Sequence, residues 1–235
     1  MIKTFKAIRH GDIEAVREIL LAKPEEINAV AKQPPKKDDG QSLLQVALKT
    51  GQLDIAELLL DYNADVNFME SEECCNEWRA PVLHDAIMCA VNNCRYNAKS
   101  YFSDEYEVFS TKEKADKAFY ILKRMLEMGA DIKAKDSYGN STLARAVLDA
   151  RQILPSYIYS SNTLCNDRIV TKEVRDDLTR IFRLLYEYGA DSQWPDRISG
   201  RTMADEFSKE PVAEFLNMNV LTTKKRSIFD RIFKR

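Results

Sequence analysis

The sequence predicts an all-α fold built from short helix pairs joined by glycine turns, and three observations lead there. Apolar residues recur at helical spacing in runs too short to stand alone as helices. The glycines sit at the ends of those runs, with Gly40 and Gly51 eleven apart, Gly129 and Gly139 ten apart, and Gly189 and Gly200 eleven apart. The stretch from Asp39 to Asn67, DGQSLLQVALKTGQLDIAELLLDYNADVN, holds one complete helix–turn–helix that the rest of the chain repeats, lengthens and truncates.

In chain order, Phe5 to Asn28 shows the helix, Gly11, helix pattern with no glycine turn in front, so it reads as an N-terminal cap with one face made for solvent. Gln33-Pro34-Pro35-Lys36-Lys37-Asp38 follows as an extended finger, because consecutive prolines preclude a regular helix. In the complete unit, Asp39-Gly40 makes a turn and Ser42 is placed to cap a helix carrying Leu44, Ala47 and Leu48 on one face up to Gly51. Asp54 opens the second helix, whose stripe of Ile55, Leu58, Leu59 and Tyr62 needs cover from outside the segment.

After Asn67 comes an acidic finger, FMESEECCNEWRAPV, and then Leu83-His84-Asp85-Ala86 starts another first helix. Its second helix, Ala115 to Met128, is delayed by an insertion from about Asn93 to Lys114. Asp136 opens a fourth unit, and its second helix, Val174 to Tyr188, is again separated from the first, here by QILPSYIYSSNTLCNDRIVT. Pro155 breaks the helix there and the Ser-Ser-Asn run reads as loop, although extra helices remain open in both insertions. Gly200 to about Asn217 is a polar, truncated fifth unit suited to a C-terminal cap.

A glycine turn, Ser/Thr-x-Leu-x-x-Ala, a glycine, a Leu-Leu helix and then Gly-Ala-Asp-x-Asn together resemble an ankyrin repeat, whose length is about 33 residues. The segment has Ser42-Leu43-Leu44-Gln45 in place of Thr-Pro-Leu-His, and Asn63 in place of the glycine of Gly-Ala-Asp. Asn is the next best residue at a left-handed helix end, so that departure is mild. The resemblance covers about residues 4 to 219 and implies an ankyrin-repeat solenoid of stacked helix pairs with short fingers. The repeats fall at about 4–35, 36–69, 79–135, 136–193 and 197–219, two of them expanded by insertions. Residues 1–220 would form the repeat domain and 221–235 a basic amphipathic C-terminal tail.

Composition bounds the function. The formal charge is −2 and no apolar run approaches the ~20 residues needed to cross a bilayer. The start, MIKTFKAIRHGDIEAV, lacks the apolar core of a secretory signal, so a cytoplasmic location is expected. Five cysteines, Cys74, Cys75, Cys89, Cys94 and Cys165, are odd in number and lack CxxC spacing, which reads as reduced thiols. Cys74-Cys75 with His84 is the one cluster worth a metal hypothesis, and adjacent cysteines fit tetrahedral geometry poorly. We expect no metal and no cofactor.

No catalytic constellation is found. His84 and His10 are the only histidines, and both read as structural, His84 at the repeat histidine's place and His10 at a helix end. No phosphate loop, nucleophile elbow or paired-His motif is present. The resemblance instead implies protein binding through finger tips and inner helices. Finger candidates are Lys36, Lys37, Trp78, Arg79, Tyr138 and Trp194, large or charged side chains of the kind enriched among interface anchors. The two insertions leave corresponding positions in consecutive units, which should place them on one edge, and they carry Tyr101, Phe102, Tyr106, Tyr157 and Tyr159. Tyrosine offers large contact area at low rotamer cost. Two readings stand for this edge: a binding surface, or local packing onto the array.

The tail, TTKKRSIFDRIFKR, carries six Lys/Arg against one Asp, and Ile228, Phe229, Ile232 and Phe233 share one helical face. Such a helix can dock on a partner, on its own acidic array or on anionic lipid. The expected function is a monomeric, non-enzymatic protein-binding module: an adaptor, an inhibitor or a host-directed binding protein. The alternative is a peripheral membrane protein held by its tail. Nucleic acid is not an expected partner, because an acidic array repels phosphate.

Overall fold

The computed structural model describes residues 3–100, 102–192 and 200–218; Tyr101, Trp194 and the tail face of Ile228, Phe229, Ile232 and Phe233 lie outside the described residues. Helices dominate: α1 (Lys3–His10), α2 (Ile13–Ala22), α3 (Leu43–Lys49), α4 (Leu53–Asp61), α5 (Val82–Asn92), α6 (Lys112–Glu127), α7 (Thr142–Ile153), α8 (Lys172–Glu187), α9 (Met203–Glu206) and α10 (Ala213–Leu216). The chain divides into two compact units, Met1–Ala90 with Glu113–Thr142, and Val91–Lys112 with Leu143–Arg235.

Local sequence explains the helix limits. Ser42 caps α3 by accepting from the Gln45 N–H, and Gln45 reaches back to the Ser42 N–H, a reciprocal pair that satisfies two otherwise orphaned donors. Thr171 caps α8 in the same way from one side, which starts that helix at Lys172 rather than Val174. α6 likewise begins at Lys112, ahead of the expected Ala115, so the stretch preceding it is shorter than the spacing implied. At the turn after α4, Asn63 holds φ 58°, the left-handed geometry anticipated for this Asn.

In the first unit, α1 packs on α2 and α3, and α2 packs on α4, so equivalent helices of successive pairs lie against each other. The helix α6 continues the series: Lys117 is ion-paired to Glu57 and Asp54, and Arg124 to Asp61 at 2.7 Å, all three acids on α4. Phe5, Ile8, Leu20, Leu44, Ile55, Leu59, Leu83 and Ile87 fill the core. Ahead of α3, α5 and α7, isolated antiparallel bridges at Val30 with Ser42, Met69 with Pro81, and Lys135 with Ser141 close a finger each.

In the second unit, α8 presents Val174, Leu178, Ile181, Phe182 and Leu185 to the core, and Phe182 stacks on Phe215 of α10 at 5.4 Å between centroids. The α5–α6 and α7–α8 connections hold strands instead of the extra helices left open by the sequence. β1 (Asn97–Lys99) pairs antiparallel with β2 (Tyr106–Val108) and with β5 (Arg168–Ile169), giving the order β2-β1-β5. β3 (Tyr157–Ile158) and β4 (Thr163–Leu164) form a separate hairpin, and its turn contains Asn162 at φ 55°. Strands of two or three residues leave no alternation long enough to detect in a sequence.

Candidate protein-interaction surface

Two surfaces concentrate the residues singled out above, one in each unit. In the first unit the fingers are bonded into a row. The Cys75 N–H donates to Asp39 Oδ2 (2.8 Å) and Asn76 Nδ2 to the Asp39 carbonyl (2.9 Å), joining the first finger to the second. Gly40 lies at this joint with φ +81°, and a Cβ there would stand 2.4 Å from Cys74 Cβ, so both backbone geometry and close approach exclude other residues. The second finger meets the third through Ser137 N–H to the Arg79 carbonyl (2.9 Å) and Arg79 N–H to Ser137 Oγ (3.0 Å).

The finger candidates differ in what they offer. Lys36 and Lys37 are exposed on a 3-10 turn, and Tyr138 is 66% exposed at the third finger's tip. Trp78 is half-buried and its indole N–H donates to Asp136 Oδ2 at 2.9 Å, while Lys49 Nζ lies 5.7 Å from its ring centroid. Burial pulls Asp136 upward, but the hydrogen bonds from Trp78 and Asn140 outweigh it and hold the carboxyl below its ordinary range. Arg79 is half-buried and pairs with Glu72 at 3.3 Å.

Beneath the row lies a buried polar network that sequence reasoning missed. Asp85 on α5, 1% exposed, accepts from Gln45 Nε2 (3.0 Å) and lies 3.5 Å from Lys49 Nζ, which also faces Glu70 at 3.6 Å. Glu70 in turn accepts from the Ala80 N–H at 2.9 Å. Burial pushes the Asp85 carboxyl up to about 7, against the pull of Lys49. The signal was an acid inside VLHDAIMCAV, an otherwise apolar helix. His84, beside it, is fully buried.

In the second unit the two connections share one sheet. Arg95, just ahead of β1, is anchored by Asp177 of α8: its Nε and Nη2 reach the two carboxylate oxygens at 2.9 and 2.8 Å, and its N–H donates at 3.0 Å. Asp177 is 1% exposed and also faces Arg180 at 3.3 Å. An acid on the apolar stripe of α8 was the readable sign of this pin. The Tyr106 hydroxyl donates to the Asn166 carbonyl (2.7 Å), tying one connection to the other, and Tyr96 stacks on Phe109 at 5.1 Å. Tyr157 meets Tyr159 edge-on at 4.9 Å, and the Tyr159 hydroxyl donates to the buried Glu210 at 2.8 Å, which Arg151 also contacts.

Around these anchors the apolar surface stays open. Phe102 is 93% exposed, Val108 61%, Phe109 51% and Leu164 54%, with Ile158 and Ile169 also exposed. Among the described residues, no group of three or more His, Cys, Asp or Glu side chains is placed to hold a metal ion, and the five cysteines form no disulfide. No helix among the described residues is long and apolar enough to cross a membrane.

Paired helices stacked on equivalent helices, with hairpin fingers in a bonded row, define a repeat protein of the helix–turn–helix class. Residues 4–99 match the family model for ankyrin repeats (3 copies), and that stretch of the chain is similar to the repeats of this family. No curated protein matches it. Ankyrin repeats are in general protein-interaction modules.

Proposed function

We propose that the chain is a non-enzymatic, cytoplasmic and monomeric protein-binding module, an ankyrin solenoid with repeats at about 4–35, 36–69, 79–135, 136–193 and 197–219. The third and fourth repeats are expanded by the two strand-bearing connections. Partner contacts fall on the finger row at Lys36, Lys37 and Tyr138, and on the connections at Phe102, Tyr106 and Tyr159. Trp78 and Arg79 hold the finger row in shape, and the roles proposed for Tyr101, Tyr157 and Trp194 are the same as those of their neighbours. The module serves as an adaptor, an inhibitor or a host-directed binding protein.

The observation that carries this reading is the pairing of a fixed scaffold with uncovered apolar side chains. Arg95 anchors the first connection through its ion pair with buried Asp177, and buried Glu210 holds the second by accepting from the Tyr159 hydroxyl, while Phe102, Val108, Phe109 and Leu164 are left more than half exposed. Segments serving only as local packing would hide those side chains, because each exposed large apolar residue forgoes about 1.5–3 kcal/mol of burial. The test replaces residues 96–109 and 156–169 by short turns and compares partner capture with the full chain. Capture lost from the variant is expected; capture unchanged overturns the role of the connections.

A second reading rests on the tail sequence. Six basic residues against one acidic, with Ile228, Phe229, Ile232 and Phe233 on one helical face, suit an anionic membrane surface. Flotation with phosphatidylserine vesicles, with and without residues 222–235, separates the two: tail-dependent flotation supports membrane anchoring, and its absence removes it.

A further inference from the structure

We propose that the free edge of β2 accepts an extended, basic peptide segment of a partner protein as a fourth strand of the β2-β1-β5 sheet. The inference rests on the protein-binding reading above and names the chemistry of the partner at one of its surfaces.

Ladder geometry shows which backbone groups are on offer. The Ser100 N–H donates to the Glu105 carbonyl (2.8 Å) and the Phe109 N–H to the Tyr96 carbonyl (3.0 Å). Bonded pairs in an antiparallel ladder recur every second residue, so Glu105, Glu107 and Phe109 turn their N–H and C=O groups toward β1. Tyr106 and Val108 therefore turn theirs outward. Neither has a backbone partner on that side among the described residues. On its inner side β1 is paired with β5, through Asn97 with Ile169 and Ala98 with Arg168, so β2 is an edge strand.

The side chains define the occupant. In the observed register, Val108, Asn97 and Ile169 line one face, and Val108 and Ile169 are 61% and 41% exposed. On the other face stands Glu107, and Glu105 precedes the strand; both are exposed and neither has an ion-pair partner among the described residues. Asp104 alone of this acidic run is neutralised, by Lys99 at 2.7 Å. Edge strands are commonly guarded by charge, and lysine is the usual guard. An acidic guard repels acidic strands and attracts basic ones. A strand added to β2 sets one residue against Glu107 and its neighbours against Tyr106 and Val108, so the fitting segment alternates Lys or Arg with β-branched or aromatic residues.

The test uses the full chain with a fluorescein-labelled octapeptide of alternating Val and Lys, and an alternating Val and Glu octapeptide as control. Saturable binding of the basic peptide alone is expected, with slowed amide exchange at Tyr106 and Val108. Val108→Pro removes an outward N–H without touching the inner ladder and is expected to weaken binding about tenfold or more. The double reversal Glu105→Lys, Glu107→Lys is expected to weaken it about tenfold and to reduce its salt dependence. Binding that is equal for both peptides, unaffected by both variants, or without protection at the two amides overturns the proposal. Dimerisation in sedimentation, or peptide binding seen only after removal of residues 222–235, also overturns it, by giving the edge to a second copy or to the chain's own tail. Failure of strand addition leaves the protein-binding reading standing, since a partner on the outer faces protects neither amide.

Discussion

Asp85 makes the stability of the first unit depend on pH in an unusual direction. Its carboxyl is raised from 3.8 to about 7 by burial, with Lys49 opposing and Glu70 adding to the rise. The folded chain therefore holds a proton that the unfolded chain releases at lower pH. The stabilising contribution is fully present below about pH 4 and is lost as pH rises through about 7. A shift of this size, at about 1.4 kcal/mol per unit, amounts to about 4 kcal/mol. Acid-sensitive groups elsewhere also titrate, so the clean quantity is a difference. Asp85→Asn keeps shape and the acceptor for Gln45 Nε2 but cannot ionise. Urea unfolding followed by far-UV circular dichroism gives the stability of the wild type minus that of the Asp85→Asn variant at each pH. That difference is expected to fall by about 4 kcal/mol from about pH 4 to about pH 8. A difference that rises, or moves by less than about 1 kcal/mol, refutes the assignment of a protonated buried acid.

Other perturbations address the rest of the scaffold. Arg95→Ala removes the bidentate partner of buried Asp177 and is expected to cost about 3 kcal/mol in urea unfolding, with Arg180 limiting the loss. Leu59→Ala, at a fully buried site on α4, is expected to cost about 2–5 kcal/mol by opening a cavity; a melt within error of wild type contradicts the stacked core. Gly129 holds φ +93° with open space where a Cβ would go, so Gly129→Ala should cost about 1 kcal/mol through backbone conformation alone.

Much of the helical framework was legible because it is local. All seven glycines hold positive φ, as turn positions require, and Ser42 caps α3 where the sequence placed a cap. The turn at Asn63 followed from the same logic. What escaped was set by tertiary pairing. β1, β2 and β5 exist because Arg95 is pinned by Asp177 and because Lys99 N–H finds the Asp167 carbonyl, contacts between residues far apart in the chain. The finger candidates show a similar limit. Trp78 and Tyr138 look alike as large finger residues, yet Asp136 claims the indole N–H of Trp78, and Tyr138 is left open. Sequence supplied residue type and segment; the cross-finger bonds decided which side chains face outward.

The most direct test of partner binding through the connections is site-specific photocrosslinking in native lysate. A benzoylphenylalanine is placed singly at Phe102, Val108 or Tyr138, with exposed Lys123 on α6 as the control position. Adducts of one common mass at Phe102 and Val108, absent at Lys123, are the expected result. Adducts at Lys123 equal to those at Phe102 and Val108, or none at either of the latter two, would contradict a partner seated on the connections.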